Sequence, residues 1–126
     1  MKRIFKTRQF ANWMSKAELT DTLLYSAICE IEQGLIDAEL GSGIIKKRVA
    51  LKGKGKRGSV RTLIATNKNN RWFFIFGFEK NERDNINEKE LKYLKQLASS
   101  LLKITEHEIR IALENKTLLE VSHEKN

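Results

Sequence analysis

A run of positively charged residues in the middle of the chain has the types and spacing that act on phosphate groups. Between residues 46 and 61 the sequence contains eight Lys or Arg residues and no acid: Lys46, Lys47, Arg48, Lys52, Lys54, Lys56, Arg57 and Arg61. Clustered cations stabilise the charge of a phosphoryl group, and a lysine can also carry a proton. The whole chain of 126 residues has a net charge of +8, so this segment accounts for the entire excess of positive charge.

Three glycines interleave with these cations. Gly53, Gly55 and Gly58 satisfy the pattern G-x-G-x-x-G, which also occurs in dinucleotide-binding loops and in protein kinases. The dinucleotide motif must open a helix, whereas a strand is predicted after Gly58, and 126 residues contain none of the other kinase motifs. Glycines with exposed amides among cations instead favour a polyanion, and a nucleic-acid backbone is the natural ligand.

The elements that position this segment are predicted from apolar periodicity and from capping residues. Strands are predicted at residues 2–7, 44–51, 60–66 and 71–78, with a loop at 35–43. Helices are predicted around 10–14, from Thr20 to Gly34, from Asn87 to about residue 102 and at 106–115, with a frayed end at 123–126. Asn67 to Asn70 read as a polar hairpin turn. This order predicts an α+β domain with a small, largely antiparallel sheet.

Composition excludes several classes of protein. Cys29 is the single cysteine, and the longest apolar run, at residues 72–78, is far too short to span a bilayer. His107 and His123 stand apart with no cysteine beside them, so no metal site is expected. We therefore expect a cytoplasmic protein. The alternating aromatics of residues 72–78 are interpreted as core, with Trp72 or Phe78 as the only candidates for stacking on bases.

These features together resemble a known family. A basic strand, a glycine-rich basic loop, Arg61 after it, an aromatic strand and Lys80-Asn81-Glu82 before a C-terminal helix are similar to toxins of bacterial type II toxin-antitoxin systems. The resemblance is to the RelE/ParE superfamily, and within it to the HigB-like branch. It covers about residues 1–103 and is most specific at residues 48–50, 53–58 and 80–82. Residues 104–126 are interpreted as a C-terminal extension with a short helix and a frayed tail.

The resemblance implies a fold, an activity and partners. The fold is a largely antiparallel sheet with two N-terminal helices and a C-terminal helix packed on it. The activity is that of a ribosome-dependent, metal-independent mRNA endoribonuclease, which arrests translation and leaves a 2′,3′-cyclic phosphate and a 5′-hydroxyl. The partners are a cognate antitoxin and the ribosomal A site with its mRNA. No cofactor, membrane or small-molecule ligand is expected, and the protein would act in the bacterial cytoplasm.

The resemblance also implies roles for individual residues. Catalytic roles fall on Lys54, Arg61, Lys80 and Arg83, and RNA-binding roles on Lys46, Lys47, Arg48, Lys52, Lys56 and Arg57. Arg61 is expected to face solvent at the end of the basic sheet, with Lys80 and Arg83 beside it. Many relatives place a Tyr or His near this end of the site, but residues 80–87 contain neither.

Two alternatives belong to other functional classes. A ParE-like toxin with the same fold would inhibit DNA gyrase by binding, and the missing Tyr and His favour it. A plain nucleic-acid-binding module would use the basic surface only to contact phosphates. The basic loop, which has the composition of a catalytic site, argues against the gyrase inhibitor, and toxicity on co-expression would separate the plain binding module from both toxins.

Overall fold

The computed structural model describes residues 2–51 and 58–122, which form a six-stranded sheet with helices on both faces. In chain order the elements are β1 (Arg3–Thr7), α1 (Arg8–Lys16), α2 (Asp21–Glu32), β2 (Ala38–Gly41), β3 (Ile44–Ala50), β4 (Ser59–Thr66), β5 (Arg71–Glu79), α3 (Glu88–Leu102), α4 (Glu106–Glu114) and β6 (Leu118–Glu120). The predicted α+β class is confirmed.

The sheet is largely antiparallel, with one parallel pair. Its strand order is β2-β3-β4-β5-β1-β6, and β2 to β5 form a meander in which each strand runs antiparallel to the next. β1 lies parallel to β5 and antiparallel to β6. Because β3 and β5 both run antiparallel to β4, the end of β3, the start of β4 and the end of β5 share one edge of the sheet.

Local sequence signals explain where the helices begin and end. The side chains of Thr7 and Thr20 accept hydrogen bonds at the starts of α1 and α2. Gly34, just after α2, has a φ of +92°, which a glycine adopts without strain. Asn87 and Glu90 form a reciprocal capping box at the start of α3, as predicted.

The aromatic strand β5 is buried on both faces because helices cover both sides of the sheet. Trp72 and Phe74 belong to the core under α1 and α2, whereas Phe73 and Ile75 belong to the core under α3 and α4. The expectation that Trp72 or Phe78 could stack on bases is wrong, because Trp72 is 1% exposed and Phe78 is 3% exposed. Core packing, predicted for the strand as a whole, therefore extends to both of its ends.

Gly77 marks a close approach between β5 and α1. A Cβ atom added at Gly77 would lie 2.2 Å from the Trp13 ring. Only a residue without a side chain allows this helix to cross the strand so closely.

Two short strands differ from the sequence-based prediction. The segment predicted as a loop at 35–43 contains β2, which pairs with β3, and β6 was not predicted. Both are short edge strands, so their own sequences give little periodic signal and their pairing partners define them. The helix predicted at 106–115 is confirmed as α4, while residues 123–126 lie outside the described part of the chain. No helix in the described part is long and apolar enough to cross a membrane.

Candidate active site

An open cleft of about 770 Å³ lies at the sheet edge where β3 ends, β4 begins and β5 ends. We refer to it as the basic cleft. It is lined by Arg48, Leu51, Gly58, Ser59, Val60, Arg61, Glu79, Lys80, Asn81 and Asp84. Three predicted site residues, Arg48, Arg61 and Lys80, therefore meet at one opening. The expected proximity of Lys80 to Arg61 follows directly from the meander.

The sheet register brings the two arginines together. Arg48 on β3 lies directly opposite Arg61 on β4, and Arg61 lies opposite Phe78 on β5. Like charges placed opposite each other on neighbouring strands are unfavourable for folding. Arg48 is exposed, and neither it nor Lys80 forms an ion pair with another residue of the described segments. The cleft thus concentrates positive charge that is available to an anion.

Arg61 is held on one side by a carboxylate. Its Nε lies 3.4 Å from Oδ2 of Asp37, and its Nη1 lies 3.4 Å from Oγ of Ser59. The expectation that Arg61 faces solvent is wrong, because its side chain is only 15% exposed. The side chain nevertheless lines the basic cleft.

The two residues that flank the segment 52–57 lie in the basic cleft. The backbone N–H of Leu51 donates to the carbonyl of Gly58 at 3.2 Å, and both residues line the cleft. Residues 52–57 connect them, so the predicted Lys52, Lys54, Lys56 and Arg57 lie outside the described residues.

The basic strand β3 does not present all its cations on one surface. Side chains alternate between the faces of a strand, so Lys47 points away from Lys46 and Arg48. Lys47 is 6% exposed and its Nζ bonds to Oε1 of Glu30 at 2.7 Å and to the carbonyl of Leu35 at 2.8 Å. These contacts tie β3 to α2, so we do not carry Lys47 into the proposed RNA-binding set. Lys46 is half-buried and does not line the basic cleft.

Arg83 is held by contacts outside the basic cleft. Its two Nη atoms each donate to an oxygen of Glu90 at 2.7 Å, and its guanidinium lies over the rings of Phe76 and Phe78. The hydrogen bonds from Arg83 hold the pKa of Glu90 below its ordinary value, and Glu90 in turn raises the pKa of Arg83. Arg83 does not line the basic cleft. Its expected catalytic role is therefore not carried into the proposed site.

Two carboxylates in the cleft, Glu79 and Asp84, were not predicted as site residues. Their positions beside Lys80 and Arg83 in the sequence favour ion pairs with these cations, but Arg83 pairs with Glu90 instead. Both carboxylates line the basic cleft, and neither forms an ion pair with a residue in segments 2–51 and 58–122. The signal available in the sequence is positional: Glu79 ends the strand that the meander brings next to Arg61.

Comparison with known protein families adds a separate observation. The family model for the RelE toxin of the RelE/RelB toxin-antitoxin system matches residues 2–121. The chain belongs to the RelE toxin family. No curated protein matches it significantly. The superfamily predicted from the sequence is thus confirmed, and RelE membership supports a toxin role and implies an antitoxin partner.

Membership of the RelE family also bears on the activity of the chain. Toxins of the RelE family are generally endoribonucleases, which supports an enzymatic role for this chain. The HigB-like branch and the division into residues 1–103 and 104–126 stay predictions. Within the described residues the segment after 103 packs into the same body, because Ile109, Leu118 and Val121 are buried and β6 pairs with β1.

Proposed function

We propose that this RelE-family toxin is a ribosome-dependent mRNA endoribonuclease of the HigB-like branch that arrests translation in the bacterial cytoplasm. The observation that carries the proposal is the convergence of Arg48, Arg61 and Lys80 on one open cleft, which also holds two carboxylates without an ion-pair partner among the described residues. Such a cleft can bind a phosphodiester and also offers groups that exchange protons. Family membership supports the toxin role and the nuclease class.

The proposed reaction uses the RNA's own 2′-hydroxyl as the nucleophile. The 2′-oxygen loses its proton to a base and attacks the adjacent phosphorus, the bond from phosphorus to the 5′-oxygen breaks, and that oxygen takes up a proton. The products are a 2′,3′-cyclic phosphate and a 5′-hydroxyl. Arg48 and Arg61 stabilise the charge that develops on the phosphoryl oxygens. Lys54 and Lys80 are the predicted proton carriers, and Glu79 or Asp84 can accept the 2′-proton.

The remaining cations are proposed to bind flanking phosphates. These are Lys46, Lys52, Lys56 and Arg57. The partners in this proposal are the ribosomal A site with its mRNA and an antitoxin encoded beside the toxin. Contacts of this kind are electrostatic and weaken as salt concentration rises.

The decisive experiment is induced expression in a bacterial host, with and without the neighbouring open reading frame, followed by primer extension on a translated message. Growth arrest together with cuts that vanish when translation is blocked supports the proposal. The new 5′ ends should accept a phosphate from polynucleotide kinase without prior phosphatase treatment, because cleavage leaves a 5′-hydroxyl. Cuts that persist without translation would contradict ribosome dependence.

Arg61→Ala tests the assignment of the site. We expect it to lower mRNA cleavage by roughly 100-fold, the loss that follows removal of one donor to a developing oxyanion. Arg110→Ala is the matched control, since Arg110 is an exposed arginine on α4 and does not line the cleft. Wild-type growth arrest by a folded Arg61→Ala protein would contradict the assignment.

A gyrase inhibitor is the second candidate function. The observation in its favour is that neither Tyr nor His lines the basic cleft in the part of the chain that the structure describes. Growth arrest without RNA cuts, combined with loss of DNA supercoiling by purified gyrase, would favour this alternative. No arrest at all would favour a plain nucleic-acid-binding module.

A further inference from the structure

Two carboxylates, one on α2 and one just before β2, form ion pairs with cations of β3 and β4. Glu30, near the end of α2, lies 2.7 Å from Nζ of Lys47 on β3. Asp37, just before β2, lies 3.4 Å from Nε of Arg61 on β4. The second pair crosses β3, which lies between β2 and β4 in the sheet. Only the second pair involves a cation of the basic cleft.

The position of Asp37 is fixed by the sheet itself. Its backbone N–H donates to the carbonyl of Lys46 at 2.9 Å, and the next residue, Ala38, is in register with Lys46. The carboxylate is therefore carried on a segment hydrogen-bonded to β3, not on a free loop. Its side chain is 33% exposed, so the ion pair is partly shielded from water.

The two contacts leave part of the Arg61 guanidinium available. Asp37 contacts Nε, and Ser59 accepts from Nη1 at 3.4 Å. Nη2 of Arg61 donates no hydrogen bond to a residue of segments 2–51 and 58–122. Because the guanidinium is planar and rigid, holding its Nε edge sets the direction in which its remaining N–H groups point.

Asp37 also offsets a cost that the site creates. Arg48 lies directly opposite Arg61, and two like charges at such positions repel each other. The Asp37 carboxylate, which reaches Arg61 across β3, offsets part of this repulsion and holds the guanidinium in one orientation. The Arg61 guanidinium therefore does not need to change its orientation when a phosphate binds in the cleft.

We infer that Asp37 is a positioning residue, which orients Arg61 toward the phosphate without contacting the RNA. The inference rests on the proposed function, since it assigns Asp37 a task within that same site. The neighbouring ion pair between Glu30 and Lys47 involves no cation of the basic cleft. It therefore serves as the comparison for an ion pair that acts only in folding.

Asp37→Asn tests the inference, with Glu30→Gln as the matched control. On ribosomes programmed with a defined mRNA, we expect Asp37→Asn to slow single-turnover cleavage about 10- to 100-fold at saturating toxin. The toxin concentration at half-saturation should stay unchanged. Glu30→Gln should cleave at nearly the wild-type rate. The double variant Asp37→Asn with Arg61→Ala should cleave as slowly as Arg61→Ala alone, since both changes remove one shared interaction.

Several results would overturn the inference. These are wild-type cleavage by Asp37→Asn, an equal loss in Glu30→Gln, and additive losses in the double variant. An NMR measurement of the Arg61 Nε–H signal in the free protein keeps the test independent of cleavage. We expect Asp37→Asn to shift and broaden that signal and Glu30→Gln to leave it in place. If the wild type does not cleave mRNA, the proposed function fails, and an unmoved Nε–H signal in Asp37→Asn would reject the inference separately.

Discussion

The ion pair between Arg83 and Glu90 indicates a structural role for Arg83, although its sequence position predicts a catalytic one. Two parallel hydrogen bonds of 2.7 Å and two aromatic rings hold the guanidinium at the start of α3. We expect Arg83→Ala to lower the free energy of unfolding by about 1 to 2 kcal/mol, because the pair is partly exposed and the stacking adds to it. Urea denaturation measures this change.

Glu90→Gln is the control for Arg83→Ala. It removes the charge of Glu90 but leaves Arg83 stacked on the two rings, so it should lower the free energy of unfolding by less than Arg83→Ala does. Both variants should retain mRNA cleavage at temperatures where they stay folded. Loss of cleavage in Arg83→Ala but not in Glu90→Gln would instead assign Arg83 to catalysis, as its sequence position suggested.

At the scale of elements, the starts of α3 and α4 make folding sensitive to acid. The pKa of Glu90 is lowered by hydrogen bonds from Arg83, that of Glu106 by a hydrogen bond from Arg71, and that of Glu108 by the backbone N–H of Thr105. Each of these three pKa values in the folded protein lies below the ordinary value of 4.5. At a pH between the folded-state and the ordinary pKa, the unfolded chain therefore binds more protons than the folded one.

The stability contributed by these three carboxylates is therefore complete above about pH 5 and declines as the pH falls through their folded pKa values. We expect the midpoint of urea unfolding to decrease from pH 6 to pH 3. Glu90→Gln should show a shallower decrease, since one of the three groups no longer titrates. An identical pH profile for Glu90→Gln and the wild type would contradict this account.

Much of the fold follows from local sequence. The capping box at Asn87 and Glu90 predicted the start of α3, and the apolar run of β5 predicted a strand buried on both faces. β2 and β6 could not be predicted in this way, because each is an edge strand of three or four residues that depends on a distant partner.

The candidate site divides in the same manner. The convergence of Arg48, Arg61 and Lys80 follows from the meander, which local turns predict. Because side chains alternate between the two faces of a strand, the sequence also predicts that Lys47 faces away from Arg48. The contact between Asp37 and Arg61 could not be predicted, because it joins a residue just before β2 to one on β4, with β3 between them.

At the scale of the whole molecule, the segment after residue 103 completes the core. Arg71 donates to the carbonyl of Ile104 and lies 2.8 Å from Glu106, while Arg3 lies 3.0 Å from Glu120. Ile109, Leu118 and Val121 are buried. Each buried aliphatic side chain contributes about 1.5 to 3 kcal/mol, and a domain has only about 5 to 15 kcal/mol in total.

We therefore expect a chain that ends at Lys103 to lose cooperative unfolding near the wild-type temperature. A chain that ends at Ser122 is the control, since it keeps α4, β6 and Val121. Thermal unfolding followed by circular dichroism distinguishes the two. A chain ending at Lys103 that melts like the wild type would show that residues 104–126 are a dispensable addition.

The pairing of β1 has a consequence for the order of synthesis. In the part of the chain that the structure describes, β1 pairs with residues 71–74 and 118–120. β1 is synthesised before both of its partners, β5 and β6, so it cannot complete its hydrogen bonding until those later segments have left the ribosome. The six-stranded sheet is therefore completed only after β6 has emerged. A toxin built in this way does not acquire its full fold while only the segments before β6 have emerged.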